Sequence, residues 1–302
     1  MYGMFWYASS FNQNIGGWSV ENVYEMGQMF RRASSFNQNI GAWSVDNVRL
    51  MDRMFFKASA FDQDLSGWAV QSVTGMGYMF YDASAFNQDL GWCMDDDAYL
   101  WSAFSGTPCA ETSCGVYEKE QGTCAPTSAP TTSPAPTVTP APTVTPLVAD
   151  DSTIRTAVTA WFADQSAAEA TYGHISTWAT GGVTDMSELF CASDYNCGYF
   201  NSDAASFNED IGAWDTSGVT SMSYMFQLAS AFNQDLSDWA VHRVTSMEEM
   251  FSLATSFNQD LSDWAVDSVT SIASELLRSR VISKGTMSFQ WTRCYTWKTL
   301  NF

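Results

Sequence analysis

Residues 229–251 read ASAFNQDLSDWAVHRVTSMEEMF, and most of these letters return at a fixed spacing in both halves of the chain. The pair Met250-Phe251 follows Met225-Phe226 by 25 residues. In the first half, the same pair recurs with the same step at Met4-Phe5, Met29-Phe30, Met54-Phe55 and Met79-Phe80. A fixed internal period of this size is typical of repeat proteins, in which each unit packs against its neighbours.

Large apolar residues share this period. The equivalent phenylalanines are Phe11, Phe36, Phe61, Phe86, Phe207, Phe232 and Phe257, and the equivalent tryptophans are Trp18, Trp43, Trp68, Trp214, Trp239 and Trp264. One large apolar residue at the same place in every unit indicates a shared core rather than a cofactor pocket. We therefore expect the tryptophans of the repeat to point inward.

A single repeat contains two kinds of local pattern. Phe36–Ile40 alternates with a period of two, which predicts a short strand with Phe36, Gln38 and Ile40 inward and Asn37 and Asn39 outward. Val45, Val48, Met51 and Met54 are three residues apart, which indicates a helical or 3₁₀ turn. The predicted fold is an α/β repeat solenoid of leucine-rich-repeat type. Each coil of about 25 residues holds one short parallel strand and one short helical turn, in two arrays.

The composition excludes several classes of protein. Of 302 residues, 46% are hydrophobic and 15% are aromatic, which is too apolar for a disordered chain. Acidic residues number 33 and basic residues 13, so the net charge of −20 disfavours nucleic acids as partners. No long uninterrupted apolar run predicts a transmembrane segment, and the first residues show no signal-peptide pattern.

A proline-rich segment divides the two arrays. Seven of the eight prolines lie in residues 125–146, which predicts an extended spacer, either an O-glycosylated stalk or an unmodified linker. The predicted organisation is a first array (1–105), a cysteine-containing end segment (106–124), a Pro/Thr-rich linker (125–148), a helical N-cap (149–175), a second array (176–276) and a basic tail (277–302). We expect a monomer with two tethered arrays.

Both ends of the sequence interrupt the repeat. Met1 begins inside a coil with no preceding cap, so we expect the apolar edge of the first coil to be uncovered. After Ser274 the pattern stops, and residues 278–302 hold five of the 13 basic residues and no acidic one. One hypothesis is a gene-model error that truncated the first array and altered the tail, and the alternative is a natural basic tail.

The segment before the second array has the pattern of a helical cap. Ile154, Ala157, Val158, Trp161 and Phe162 fall on one face of a helix. Asp151 or Ser152 would cap its N-terminus, and Gly173 would end a second helix. Such a cap covers the apolar end of a repeat array.

Two polar positions of the repeat would form ladders across stacked coils. The inward glutamines (Gln13, Gln38, Gln63, Gln88, Gln234 and Gln259) would hydrogen-bond from coil to coil, because a buried amide without a partner is costly. The outward row reads Asn14, Asn39, Asp64, Asp89, Asp210, Asp235 and Asp260. These side chains would either bond their own backbone in turns or place a cation such as Ca²⁺ between neighbouring carboxylates.

The cysteines suggest disulfides more than a metal site. Cys191 and Cys197 lie in an insert that lengthens one coil, and we expect them to form a disulfide in a secreted protein. Cys93, Cys109, Cys114 and Cys124 allow three pairings, and a Cys₄ zinc site is the alternative to these disulfides. The two histidines are too few to predict a metal site with them.

The repeat resembles the BspA-like leucine-rich repeat, also called the DUF285 repeat. Residues 229–251 carry its pattern at Ala229, Ser230, Phe232, Asn233, Gln234, Asp235, Leu236, Trp239, Val241, Val244, Thr245, Met247, Met250 and Phe251. The resemblance covers residues 3–105 and 176–276. It implies an extracellular or cell-surface protein of the kind found in mycoplasmas and diatom-like algae, with a role in adhesion, and it supplies no catalytic residues.

From these observations we expect a non-enzymatic interaction module that binds protein or glycan through the sheet face of the solenoid. The alternative is a structural or Ca²⁺-binding surface protein that uses the aspartate row. We do not expect an enzyme, because the acidic residues of the coils occupy repeated positions and neither histidine lies beside a nucleophile motif.

Overall fold

The computed structural model describes residues 1–94, 98–118 and 146–270. The predictions for the linker up to Thr145, the basic tail and Cys124 fall outside these ranges. The α-helices are α1 (Asp151–Ala163) and α2 (Gln165–Tyr172). The strands are β1 (Cys93–Met94), β2 (Tyr117–Glu118), β3 (Val148–Asp150) and β4 (Ala179–Gly182), and they pair in parallel as β1–β2 and β3–β4.

Successive repeats are joined by backbone hydrogen bonds in the segment around the Met-Phe pair. The amides of Met26, Gln28 and Phe30 donate to carbonyl oxygens of the following repeat, each at 2.9 Å. The same alternation occurs in the second array, where the Phe226 amide donates to Met250 at 2.9 Å. Every second amide thus bonds to the neighbouring repeat, so the repeats lie side by side as stacked coils.

The remaining amides of this segment close tight turns within their own coil. Met29 donates to Met26 at 3.2 Å and Arg31 donates to Gln28 at 3.0 Å, which is the spacing of a 3₁₀ turn. Gln28 and Arg32 have φ of 58° and 59°, in the left-handed region, so no continuous helix forms. In place of the predicted helical turn, this segment forms a run of tight turns. Alternate amides close these turns, and the amides between them donate to the next coil.

The strand predicted at Phe36–Ile40 is wrong. This segment has no strand in the described structure, where the only bridges between coils join Glu25, Leu50, Gly75 and Tyr99 in one array and Asp185, Ser221 and Ser246 in the other. Side chains take over the pairing, because the Asn37 amide donates to the Asn12 side-chain oxygen at 2.8 Å. Phe36 and Ile40 are buried as expected, whereas Gln38 is only half-buried.

The core consists of aromatic rings stacked from coil to coil. The Phe30 ring lies 5.6 Å from Phe5 and 5.6 Å from Phe55, nearly parallel to both. Each repeat tryptophan is at most 3% exposed, and the indole nitrogen donates to a carbonyl of the preceding coil, as Trp43 does to Ile15 at 3.0 Å. The prediction that the repeat tryptophans point inward is confirmed.

The end of the second array stacks directly on the beginning of the first. We call this contact, between residues 247–270 and residues 1–26, the seam. The Glu249 amide donates to Tyr2 and the Phe251 amide donates to Met4, both at 3.0 Å. The Phe5 ring lies 5.8 Å from the Phe251 ring. Residues Met1–Ile272 accordingly belong to one compact unit.

The seam keeps the register of the repeat. The Trp18 indole donates to Leu261 at 2.8 Å, the bond that Trp43 makes to Ile15. In the sequence, the residues 25 positions after Met250 and Phe251 are Glu275 and Leu276, which break the pattern. Met4 and Phe5 make the contacts that the repeat requires there. The expectation that the first coil is uncovered is therefore wrong, because the end of the second array packs on it. The arrays are also more than tethered, because residues of both complete the coil at the seam.

The helical segment before the second array covers the other side of that array, as predicted. Ile154, Ala157, Val158 and Trp161 are buried, and the Phe162 ring packs edge-on against Phe190. The N-cap is Asp150, one residue before the predicted cap, and its carboxylate accepts the amides of Ser152 and Thr153. These hydrogen bonds lower the pKa of Asp150 to about 2. Gly173 ends α2 with φ of 75°, as predicted.

The far end of the first array closes with a short disulfide-bonded segment. A 3₁₀ stretch, Ala110–Gly115, follows the last coil, and Cys109 and Cys114 are bonded at 2.04 Å. The Leu90 amide donates to Cys114 at 2.8 Å, which fixes this segment to the coil before it. The Cys109–Cys114 disulfide selects one of the three cysteine pairings that the sequence left open.

The seam contains a buried carboxyl group, that of Glu249, and a buried amino group, that of Met1. Glu249 is 7% exposed and accepts the Gln227 side-chain amide at 2.5 Å. Burial, and then the nearby Glu248, raise the pKa of Glu249 to about 7. The Met1 amine donates to the Glu25 carbonyl at 3.2 Å, and its burial lowers its pKa to about 5.

Replacing Trp239 by alanine should destabilise the protein by about 3–5 kcal/mol, because it removes a buried aromatic ring. Trp239 is 3% exposed, and its indole donates to Ile211 at 3.1 Å. Chemical denaturation followed by circular dichroism measures this change. A loss below about 1 kcal/mol would show that the ring is not in the core.

Phe5→Ala tests the seam, with Phe30→Ala as its matched control. Both rings are 0% exposed, and both lie between the rings of two neighbouring coils. We expect both variants to lose about 3–5 kcal/mol in the same denaturation experiment. A small loss for Phe5→Ala beside a large one for Phe30→Ala would mean that Phe5 lies at an open edge.

Glu249→Gln should make stability less sensitive to pH. Folding raises the pKa of Glu249 from 4.5 to about 7, so the stability that its protonated form provides below pH 4.5 is lost as the pH rises to about 7. Relative to the native chain, the variant should gain up to about 3 kcal/mol across this range, as measured by denaturation at pH 4.5 and pH 8. Glu188→Gln, at the equivalent position of another coil, is the control, and an equal gain there would contradict the assignment.

Candidate functional site on the first array

The two residues after each Met-Phe pair distinguish the arrays. In the first array the first of them is Trp6, Arg31, Phe56 or Tyr81, and the second is Tyr7, Arg32, Lys57 or Asp82. In the second array the same positions hold Cys191, Gln227 and Ser252, then Ala192, Leu228 and Leu253. The turns of the segment leave all eight residues of the first array half-buried or exposed. Aromatic and basic side chains therefore concentrate on one surface of the first array.

Arg31 lies between two aromatic rings from the neighbouring coils. Its guanidinium carbon is 5.1 Å from the Trp6 ring centroid and 5.3 Å from that of Phe56. The Phe56 ring stacks on Tyr81 at 5.2 Å. A cation over a ring face is attracted by the ring quadrupole, and this arrangement restrains the guanidinium before any ligand arrives.

Three further cations each lie over one aromatic ring. Arg32 lies 5.4 Å from the Tyr7 ring, and Arg53 lies 5.1 Å from the Tyr78 ring. Lys57 lies 5.6 Å from Phe56 and pairs with Asp82 at 3.4 Å. We call this surface the aromatic–basic face. It consists of Trp6, Tyr7, Arg31, Arg32, Arg53, Phe56, Lys57, Tyr78, Tyr81 and Trp101.

Trp101 extends the face with an exposed ring. Its indole nitrogen donates to the Tyr78 hydroxyl at 3.0 Å, which connects it to the ring under Arg53. Trp101 is 61% exposed, in contrast to the buried tryptophans of the repeat. Large exposed rings beside arginine are typical of binding surfaces.

The predicted aspartate row lies on the surface and forms turns. Asp64, Asp235 and Asp260 each accept the backbone amide two residues further on, at 2.9 Å. Asp210 and Asp89 do the same at 3.0 and 3.3 Å. Among the described residues, no group of three or more His, Cys, Asp or Glu side chains is arranged to hold a metal ion. The geometry of the row is that of the turn-forming interpretation.

The glutamine ladder joins the coils, although its partners are not other glutamines. The Gln38 amide donates to the Asn12 carbonyl at 2.8 Å, and Gln234 donates to Asn208 at 2.7 Å. The asparagine at this position, which the sequence placed outward, also accepts the backbone amide of the next coil, as Asn233 does from Asn258 at 2.8 Å.

The predicted disulfide is present in the insert of the second array. Cys191 and Cys197 are bonded at 2.03 Å and both are buried. The loop that they close carries Tyr195, which is 90% exposed. Cys93 is disulfide-bonded as well.

Sequence reasoning missed the aromatic–basic face because it followed the positions that repeat. The face lies at positions that vary between coils, where Trp6, Arg31, Phe56 and Tyr81 are aligned. A usable signal was the clustering of Arg31, Arg32, Arg49, Arg53 and Lys57 within 27 residues of an acidic chain. A binding surface on a repeat protein appears as such a departure from the consensus.

Replacing Asp235 by alanine should cost about 1 kcal/mol, because the Ser237 amide loses its partner, whereas Asp235→Asn retains an acceptor oxygen and should cost little. Thermal denaturation with and without Ca²⁺ measures both effects. An equal loss of stability in the two variants would instead support a cation between the carboxylates. So would a native chain that Ca²⁺ stabilises while it stabilises neither variant.

Comparison with known proteins gives one match. The family model described as "Mycoplasma protein of unknown function, DUF285" matches residues 1–104 and 156–289. Neither the curated proteins nor the solved structures include a match. In the described part of the chain, no helix has the length and apolar character needed to cross a membrane. Because the family model covers most of its length, the chain belongs to the DUF285 family.

Proposed function

We propose that this protein is a non-enzymatic interaction module, extracellular or on the cell surface, that binds a protein or glycan ligand through the aromatic–basic face. In this proposal, the stacked coils form a leucine-rich-repeat solenoid of the BspA-like type. The observation that carries the proposal is Arg31, which lies between Trp6 and Phe56 with each ring centroid less than 5.5 Å from its guanidinium.

The composition and rigidity of the face support a binding role. Tyrosine, tryptophan and arginine are the residues most enriched among those that dominate binding energy. Here they stand on turns whose amides are bonded to the next coil, such as Arg32 to Phe56 at 2.8 Å. Ordered side chains lose less conformational entropy when a ligand binds.

A catalytic role has weaker support. Among the described residues, the arrangement that most resembles a nucleophile and base is Ser176, whose hydroxyl lies 2.8 Å from His174 Nδ1, with Glu209 3.7 Å from Nε2. However, His174 Nδ1 also accepts the Ser176 backbone amide and caps the short helical turn Ile175–Thr177. His242 lies exposed on the surface. These contacts favour a structural role for His174.

A screen of glycans and surface proteins with the full chain tests the proposal. The native chain is compared with the double variant Trp101→Ala/Arg53→Gln, which alters the face, and with Asp235→Asn/Asp260→Asn, which alters the aspartate row. We expect a ligand that the first variant loses and the second retains. A ligand that depends only on the aspartate row, or on neither surface, would refute the proposed site.

A further inference from the structure

We propose that Arg31, Arg32 and Arg53 bind the sulfate or carboxylate groups of an acidic polysaccharide. This inference rests on the proposed function and specifies its ligand. It predicts anion recognition by a protein whose own net charge is −20.

The first argument is that these three arginines form no ion pair among the described residues. In a chain with 33 acidic residues, no described carboxylate lies within ion-pair distance of these three arginines, although Lys57 does pair with Asp82. Burial, and then the nearby positive charges of Arg53 and Arg32, lower the pKa of Arg31. Burial raises the pKa of Asp52 and the nearby Arg53 opposes that rise, so Asp52 offsets part of the Arg53 charge. However, an Asp52 oxygen accepts the Gly77 amide at 2.9 Å, and the Asp52 and Arg53 side chains form no ion pair. An incoming anion would form the ion pairs that no described carboxylate makes with these arginines.

The second argument is the way in which the guanidiniums are held. Two rings lie over the Arg31 guanidinium and one ring lies over each of those of Arg32 and Arg53, so an anion would approach along the guanidinium edges, where the N–H groups point. Guanidinium edges match sulfate and carboxylate oxygens with paired hydrogen bonds. Arg31 uses one terminal nitrogen to reach the Gln28 side chain at 2.6 Å, which fixes its orientation.

The third argument favours a polysaccharide over an acidic protein. In the first array, stacked phenylalanines place equivalent positions 5.2–5.7 Å apart from coil to coil. Arg31 and Arg32 belong to one coil and Arg53 to the next, so the three cations span two neighbouring coils. A linear acidic polysaccharide carries several anionic groups along one extended chain and could reach all three. Trp101 and Tyr99, 61% and 54% exposed, add flat apolar rings next to the cluster for sugar rings to pack against.

Screening explains how an acidic protein can bind a polyanion. At physiological ionic strength, interactions between exposed charges decay over roughly 8 Å, so the arginine cluster acts locally while distant carboxylates contribute little. Binding should therefore weaken at high salt, when the attraction itself is screened, and also at very low salt, when the repulsion reaches further. This two-sided salt dependence is a signature of a basic cluster on an acidic protein.

Titration calorimetry of the full chain tests the inference with four probes: dextran sulfate, polygalacturonate, neutral dextran and poly-glutamate. The variants Arg32→Gln and Arg53→Gln remove one charge each from the cluster, and Arg31→Lys retains charge without the planar guanidinium. Arg49→Gln and Arg243→Gln are matched controls on exposed arginines that are not part of the aromatic–basic face. Circular dichroism melts verify that each variant is folded.

We expect one or both acidic polysaccharides to bind. Each cluster variant should weaken binding about tenfold or more, and each control by less than about twofold. Binding of poly-glutamate alone would assign the face to an acidic protein and overturn the inference. Binding of neutral dextran that Trp101→Ala abolishes and the arginine variants retain would overturn anion recognition while leaving the proposed function intact. If no probe binds, or if cluster and control variants weaken binding equally, the inference fails, and the screen of the face then decides the proposed function separately.

Discussion

The structure depends on one recurring interaction, the hydrogen bond from every second amide around the Met-Phe pair to the next coil. The bond from Phe30 to Met54, at 2.9 Å, is an example. Because these bonds fix the register between neighbours, each phenylalanine ring must stack on its equivalent, and each indole must reach the carbonyl of the coil before it. The identical spacing of the large residues in the sequence is the consequence of this register.

The same interaction crosses the seam, where the chain is not continuous. Phe251 and Met4 are bonded as neighbouring coils are elsewhere, and Phe5 completes a coil that begins at Phe257. Repeat proteins draw their stability from interfaces between neighbours rather than from the connections between them. An interface of matching register can therefore replace a covalent link, and the two arrays behave as one stack with the helical cap on one side and the Cys109–Cys114 segment on the other.

The fold could be predicted from the sequence where a position repeats and has one physical role. The inward tryptophans and the coil-to-coil bonds of glutamines such as Gln38 are of this kind. The disulfide between Cys191 and Cys197 could be predicted for a different reason, because the two cysteines lie six residues apart in one insert. The strand prediction for Phe36–Ile40 is wrong because asparagine side chains, rather than backbone groups, join the coils there. A hydrophobic period of two does not distinguish these two kinds of contact. The seam was missed because Met1, Met4 and Phe5 and the open end of the second array lie at opposite ends of the sequence.

The candidate site was harder to predict for a related reason. Its residues differ from coil to coil, and their common property is only that stacked coils bring Trp6, Arg31 and Phe56 into contact. The aspartate row attracted attention because it repeats, yet Asp64 and its equivalents serve the turns that the repeat needs. In this chain, regular positions maintain the stack, and the irregular positions beside the Met-Phe pair carry the aromatic and basic side chains of the face.

Cleavage of the linker tests the continuous stack most directly. A protease site placed between Thr131 and Thr132 in the full chain divides it into fragments that carry one array each. A denaturing, non-reducing gel verifies that no covalent bond joins them. The seam predicts that the cleaved fragments still elute from a native sizing column as one species with the mass of the intact chain. Elution as two separate fragments would show that the arrays are independent and would contradict the seam.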